Sequence, residues 1–341
     1  MRTGPLAALL VGALLLAGCT GTDAPAADPS SQVAPAASDE PAFAPPAGVT
    51  TTVLDDAPVG LAAVGKDVWA ALPDAGAVVA GDGRTVPVGD APLRLVTTPA
   101  GVWVSVIRDG TLVRIDPATG DVDLRIRLKP AGSEPEGLAF DGTSLWAVDQ
   151  AGNRLLRLDP ASGKVLEELP TGAAPRLFAL GDQGGWVANY DGASLTHVRL
   201  VHDCPWHDCL DYEAVDVPLH RKCLTPQGLA EVDFVVWVAC TAQSRVLGVD
   251  AVSGEVVAHF EHVDHADALI AHGRDVYVVG QIGPTVWRID PRTRTLGKPL
   301  RLDDAGPTTE NVDAAVVANA LVASHPEAHR LYDVPLRLLG R

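Results

Sequence analysis

The sequence repeats itself seven times, and this limits the folds open to it more than any other property. Aligned on an aromatic residue, the segments "GKDVWAAL", "PAGVWVSV", "GTSLWAVD", "DQGGWVAN", "DFVVWVAC" and "GRDVYVVG" fall into phase, with "ANALVASH" as a seventh. The markers are Trp69, Trp103, Trp146, Trp186, Trp237, Tyr277 and Leu321, spaced 34, 43, 40, 51, 40 and 44 residues apart. Eleven residues before the first five stand Pro58, Pro92, Pro135, Pro175 and Pro226, while Ala266 and Glu310 hold the last two slots. Thirteen residues after five of the six aromatics stands an aspartate: Asp82, Asp116, Asp159, Asp250 and Asp290. Three markers in fixed phase over units of about 40 residues indicate a radial repeat.

Each unit divides into four short strands. In the third, the pattern predicts strands over Glu136–Phe140, Ser144–Val148, Arg154–Leu158 and Lys164–Leu169. Asp141-Gly142 suits a tight hairpin, and Asp159-Pro160-Ala161-Ser162-Gly163 suits a proline-initiated turn ending on glycine. Seven four-stranded units predict an all-β, seven-bladed β-propeller over residues 49–341, with the strand-two aromatics packed between blades. The last unit is too short for a fourth strand, whereas "TTTVLDDAP" before the first unit reads as one. Residues 50–56 are therefore expected to pair into the seventh blade and close the ring, removing two exposed edges.

The "LW" near the start of strand two and "NRLLRLDP" near strand three resemble the YVTN/NHL-like propellers of secreted bacterial proteins, which include the relatives of virginiamycin B lyase. The resemblance spans about residues 50–341 and implies a fold. It does not fix a function, because propellers host hydrolases, lyases, sensors and scaffolds alike.

The amino terminus carries a separate signal. Arg2, the apolar run Leu6–Leu16 and then Leu16-Ala17-Gly18-Cys19 resemble the leader and lipobox of bacterial lipoproteins. That resemblance implies cleavage after residue 18, a diacylglycerol thioether on Cys19, and an anchor on the extracytoplasmic side of the cell membrane, or in the periplasm of a host with an outer membrane. Eleven apolar residues are too few for a membrane span, which needs about 20. Residues 20–48 contain six proline and nine alanine residues, with Val33 and Phe43 the only large apolar side chains, and read as a disordered tether. A net charge of −17, with no basic stripe, argues against nucleic acid as a partner.

Beyond Cys19 lie four cysteines, an even number in an exported chain. Cys204 and Cys209 fall in the link between strands three and four of blade four, on one face of the disc. Cys223 and Cys240 fall on the opposite face, so the expected disulfides are Cys204–Cys209 and Cys223–Cys240. In "VHDCPWHDCLDY", His202, Cys204, His207 and Cys209 are metal-ligand types, but an oxidising compartment favours a stapled loop with Trp206 at its tip.

Sites in propellers gather where the innermost strands begin. The residue after each proline slot is expected to rim that mouth: Val59, Leu93, Glu136, Arg176, Gln227, Asp267 and Asn311. Loops after strand two add Asp149, Asn189, Tyr190, Gln281 and His325, and the link "HVDHAD" adds His262, Asp264 and His265. Blades three to seven then form a polar side, while Val59, Leu72, Leu93 and Val106 make blades one and two apolar. Glu136, Asn189 and Asp267 are hard oxygen donors suited to calcium or magnesium, and His265 and His325 are candidate bases. The sequence contains no G-x-S-x-G elbow, H-E-x-x-H pair or P-loop.

The reading that follows is a lipid-anchored, monomeric binding or scaffolding propeller whose partner at the mouth is a small ligand or an envelope protein. The alternative is a divalent-metal-dependent lactonase or lyase at the same place.

Overall fold

The repeat's aspartate starts a turn. Asp82, Asp116, Asp159, Asp250 and Asp290 each accept, through Oδ1, a backbone N–H two or three residues ahead, at 2.7 to 3.1 Å. This local bond fixes the reversal from strand three to strand four. The proline slot has an equally local cause. In blades two to five the ladder between the first two strands slips between the proline and the residue three positions on, from Pro92 to Leu95, Pro135 to Leu138, Pro175 to Phe178 and Pro226 to Leu229. Proline, with no N–H to donate, is tolerated at such a β-bulge.

The computed structural model describes residues 43–182, 184–201 and 211–340. It is all-β, with seven antiparallel sheets that follow one another in chain order. Blade three consists of Pro135–Phe140, Leu145–Asp149, Arg154–Leu158 and Val165–Pro170, within one residue of the strands expected from sequence. In blade six the fourth strand is broken into Thr295–Leu296 and Leu300–Arg301, both paired with Thr285–Asp290. The seventh blade joins Ala314–Val317, Ala320–His325 and Arg330–Pro335 to Thr50–Val53 from the start of the domain. Thr50 lies opposite Asp333 and Val53 opposite Arg330, so the ring closes as the sequence implied. Phe43, in the segment read as tether, lies under the guanidinium of Arg301, 5.2 Å from its ring centre.

All seven repeat markers are buried. Each stands in the second strand of its sheet, and several bond across to other elements. The Trp103 indole N–H in blade two donates to Pro160 O in blade three, and that of Trp186 in blade four donates to Glu231 Oε2 in blade five. The hydrophobic clusters cross the blade seams in the same way: one joins Trp186 and Leu195 of blade four to Val236, Val238 and Leu247 of blade five. At fully buried positions each aromatic contributes about 1.5–3 kcal/mol or more relative to exposure.

Cys223 and Cys240 form a disulfide, with Cα atoms 5.3 Å apart, between the start of blade five and the end of its second strand. The expected Cys204–Cys209 pair and Trp206 lie outside the described residues, as do the leader and Cys19. The Cys223–Cys240 bridge encloses a loop of 17 residues, for which the chain-entropy relation gives about 3 kcal/mol. Replacing both cysteines with alanine should lower the denaturation free energy by about that amount, measured by urea unfolding; no change would show that the bridge does not restrain the unfolded chain.

Candidate functional site

Seven inner strands meet at the axis, and their first turns set its lining. Where the bulge falls, glycine often takes the second position after the proline slot, because the next blade passes very close. A Cβ on Gly60, Gly137 or Gly228 would lie 1.9, 2.5 or 2.1 Å from the carbonyl oxygen of Leu93, Arg176 or Asp267. Blade two has Arg94 in that position, and its guanidinium turns into the axis.

Arg94 is the centre of the site. Its Nη1 pairs with Asp313 Oδ2 of blade seven at 3.0 Å, and its backbone N–H donates to Ser105 Oγ. Asp313 also accepts the N–H groups of Leu61 and Ala314, at 2.9 and 2.8 Å. Burial works against the charge of Arg94, yet Asp313, Glu136 and Asp267 together hold its pKa above the ordinary arginine value. Burial pushes the carboxyl of Glu136 upward against the pull of Arg176 and Arg94. Asp267 is pushed up by burial to about 7, although Arg94 and the N–H of Val312, 2.7 Å from Oδ2, favour its charged form.

The expected rim is thus a buried ring. Glu136, Gln227 and Asp267 are only 2%, 1% and 1% exposed. Among the described residues, Glu136 Oε1, both amide atoms of Gln227 and the Nε atoms of Arg94 and Arg176 have no hydrogen-bond partner. Such orphaned buried groups are uncommon in folded proteins and mark places where water or a ligand is wanted. Arg176 lies over the ring of Tyr190, 4.2 Å from its centre.

Beside this ring is an axial cavity of about 170 Å³. Its wall is a collar of Leu61, Leu95, Leu138, Phe178, Leu229 and Leu269, and its polar part is Arg94 with Asp313. Each collar residue stands three positions after a proline slot, and Asp313 fills the seventh such place. A second cavity of about 300 Å³, lined by the far ends of the inner strands of blades one, two, six and seven, shares Leu61 and Leu95 with the first. The space along the axis therefore widens away from the face where the inner strands begin. The apolar character expected of blades one and two holds for Val59 and Leu93 but not for Arg94, because the bulge interrupts strict side-chain alternation.

Asp149, Asn189, Gln281 and His325 are engaged by the scaffold. Asp149 accepts N–H groups from Glu134 and Gly152 and pairs with Arg154. Asn189 gives its amide to Ser194 and Thr196 of its own blade. His325 receives the N–H of Ala328 on Nδ1 and faces Gly306 O with Nε2 at 3.0 Å, and burial lowers its pKa. Both ring nitrogens are thus engaged in the neutral tautomer. His265 is exposed and in a left-handed conformation, and Gln281 ties its loop to Glu310 O. Asn311 is half-buried beside Val312. Among the described residues no group of three or more His, Cys, Asp or Glu side chains is placed to hold a metal ion. Of the calcium or magnesium set, Glu136 and Asp267 surround a guanidinium and Asn189 is committed elsewhere, so the three do not fit a divalent ion.

With this geometry in place, comparison with solved structures places the chain in fold space. It resembles the streptogramin-type lyases. A streptogramin B lyase superposes with a TM-score of 0.68 at 16% identity, covering 84% of this chain and 96% of its own. A catalytically inactive virginiamycin B lyase from Staphylococcus aureus with quinupristin gives a TM-score of 0.66 at 17% identity, covering 84% and 98%. At such identities the likeness concerns the fold alone. No family model and no curated protein matches the sequence.

The raised pKa of Asp267 has a consequence for stability. Above about pH 4 an unfolded chain releases this proton, whereas the folded chain holds it until about 7. The group's contribution to stability therefore falls as pH rises from about 4 to 7 and is flat above. Asp267→Asn, which keeps an acceptor for Val312, should melt progressively higher than the parent as pH is raised from 5 to 8. A constant difference in melting temperature over that range would show that Asp267 ionises normally.

Proposed function

We propose that this protein is an exported, lipid-anchored binding module that holds a small ligand in the axial channel of its propeller. The observation that carries this reading is the channel cavity itself, which is not filled by side chains and ends on the Arg94–Asp313 pair. Ligand sites are concave, mostly apolar and fitted with a few convergent polar groups, and this collar has that form. The orphaned atoms of Gln227 and Glu136 in the adjoining ring support the same reading. Export and anchoring rest on the leader and Cys19. No helix among the described residues is long and apolar enough to cross a membrane.

The fold-level likeness to lyases keeps a catalytic reading in view, and Asp267 is the residue that favours it. A carboxylate with a pKa near the working pH suits a general base. Neither histidine candidate occupies a comparable position, since His325 is locked by Gly306 and Ala328.

Two experiments test the proposal. Cys19→Ser should move the protein from the membrane fraction to the soluble fraction of an expressing bacterium; an unchanged distribution would refute lipid anchoring. The full chain should melt several degrees higher with the small-molecule fraction of a bacterial envelope extract, since a ligand at 100 times its dissociation constant adds about 2.7 kcal/mol. Leu138→Phe, which fills the collar, should raise the melting temperature without extract and abolish the response to it. Retention of the full response would place binding outside the channel, and depletion of the ligand with time would bring the catalytic reading forward.

A further inference from the structure

The axial space differs at its two ends. Towards the face where the inner strands begin, Glu136, Gln227 and Asp267 are buried, with Leu93, Arg176 and Asn311 half-buried beside them. Towards the other face, the collar opens past Leu61 and Leu95 into the chamber formed by Ala62, Ala63, Ala271, Ala314 and Ala315. Ala63, Thr97, Ala271 and His272 on this chamber are exposed. Small side chains from blades one, six and seven leave this end wide, where leucine would narrow it. The channel is a funnel that is wider at this end, with an apolar throat leading to the Arg94–Asp313 pair.

Resting on the ligand-binding reading above, we propose that the channel takes a small uncharged molecule, with an apolar body and one hydrogen-bonding head group, which reaches Arg94 and Asp313 through the alanine-lined chamber. The cavity beside that pair, about 170 Å³, limits the buried part to a ring or short chain. The collar of five leucines and Phe178 matches an apolar body. The polar groups decide the head group. Arg94 already faces Asp313 at 3.0 Å, and Arg176 acts on Glu136. Asp267, pushed up by burial to about 7, bears only part of a full negative charge at neutral pH. A charged head group would leave water for a leucine-lined throat with no counter-ion to meet it, which is costly. A carbonyl or hydroxyl oxygen gives up less hydration and is suited to a guanidinium with donors to spare.

The test uses four probes that share one ring: cyclohexanol, cyclohexanone, cyclohexylammonium and cyclohexanecarboxylate. Each is titrated into the full chain while the methyl resonances of Leu95, Leu138 and Leu269 are followed by NMR. The two neutral probes should shift these methyls in a saturable way, with both ions at least about tenfold weaker. Ala271→Trp, an exposed substitution on the chamber wall, should weaken the neutral probes at least about tenfold by obstructing the approach; Ala63→Trp serves if that variant does not fold. Equal or tighter binding of either ion at the same methyls overturns the inference about the head group and leaves channel binding intact. Unaltered binding in both tryptophan variants overturns the route. No shift from any probe overturns the inference as a whole, while the extract experiment with Leu138→Phe decides the broader reading separately.

Discussion

A four-stranded sheet with apolar residues on both faces has no stable existence alone, and this constraint governs the whole molecule. Every blade must be covered on two sides by other blades, and only a closed ring supplies both for all seven. The buried second-strand aromatics fill the seams, with Trp103 and Trp186 also bonding to elements of the following blade. Because seven wedges meet at the centre, their inner strands crowd at the axis, which is why glycine stands two positions after the proline slot in blades one, three and five. The channel is what remains when that crowding reaches its limit, so its lining is a by-product of blade packing on which a site can be built.

Against that background the Arg94–Asp313 pair is the exception. Seven equivalent positions, three residues after the proline slot, could have completed an apolar plug; six of them do, and blade seven places Asp313 there instead. Blade two answers with Arg94 where three other blades have glycine. Two departures from the repeat, on blades that are not adjacent, meet as one ion pair of 3.0 Å. Burying such a pair gives weak net stability, since desolvation offsets much of the attraction. The pair is thus a departure from the repeat that the stability of the fold does not require.

The architecture was legible because it rests on local, repeated causes: an aspartate that starts a turn, a proline that sits at a bulge, an aromatic that fills a seam. Even the clasp formed by Thr50–Val53 could be read from a missing strand at one end and a spare one at the other. The site was read less well. Glu136, Gln227 and Asp267 were expected on an open rim, whereas they are buried, because burial depends on how seven strands converge, which no single repeat encodes. Arg94 was overlooked because alternation predicts that the residue after Leu93 turns away, and the bulge breaks alternation there. Asp149, Asn189 and His325 looked like loop ligands by type, whereas their partners lie within their own blades or in neighbouring turns. Arg94 and Asp313 are the only charged residues among the positions two and three after the seven proline slots.

The clasp also orders events in time. Thr50 finds its partner only when Asp333 has been made, some 280 residues later. During synthesis the earliest strand of the domain is thus the last to be satisfied, and until then the first and seventh blades lack the seam between them. A chain cut short before Arg330 keeps that strand unpaired, and with it an open sheet edge of the kind that invites pairing with other chains.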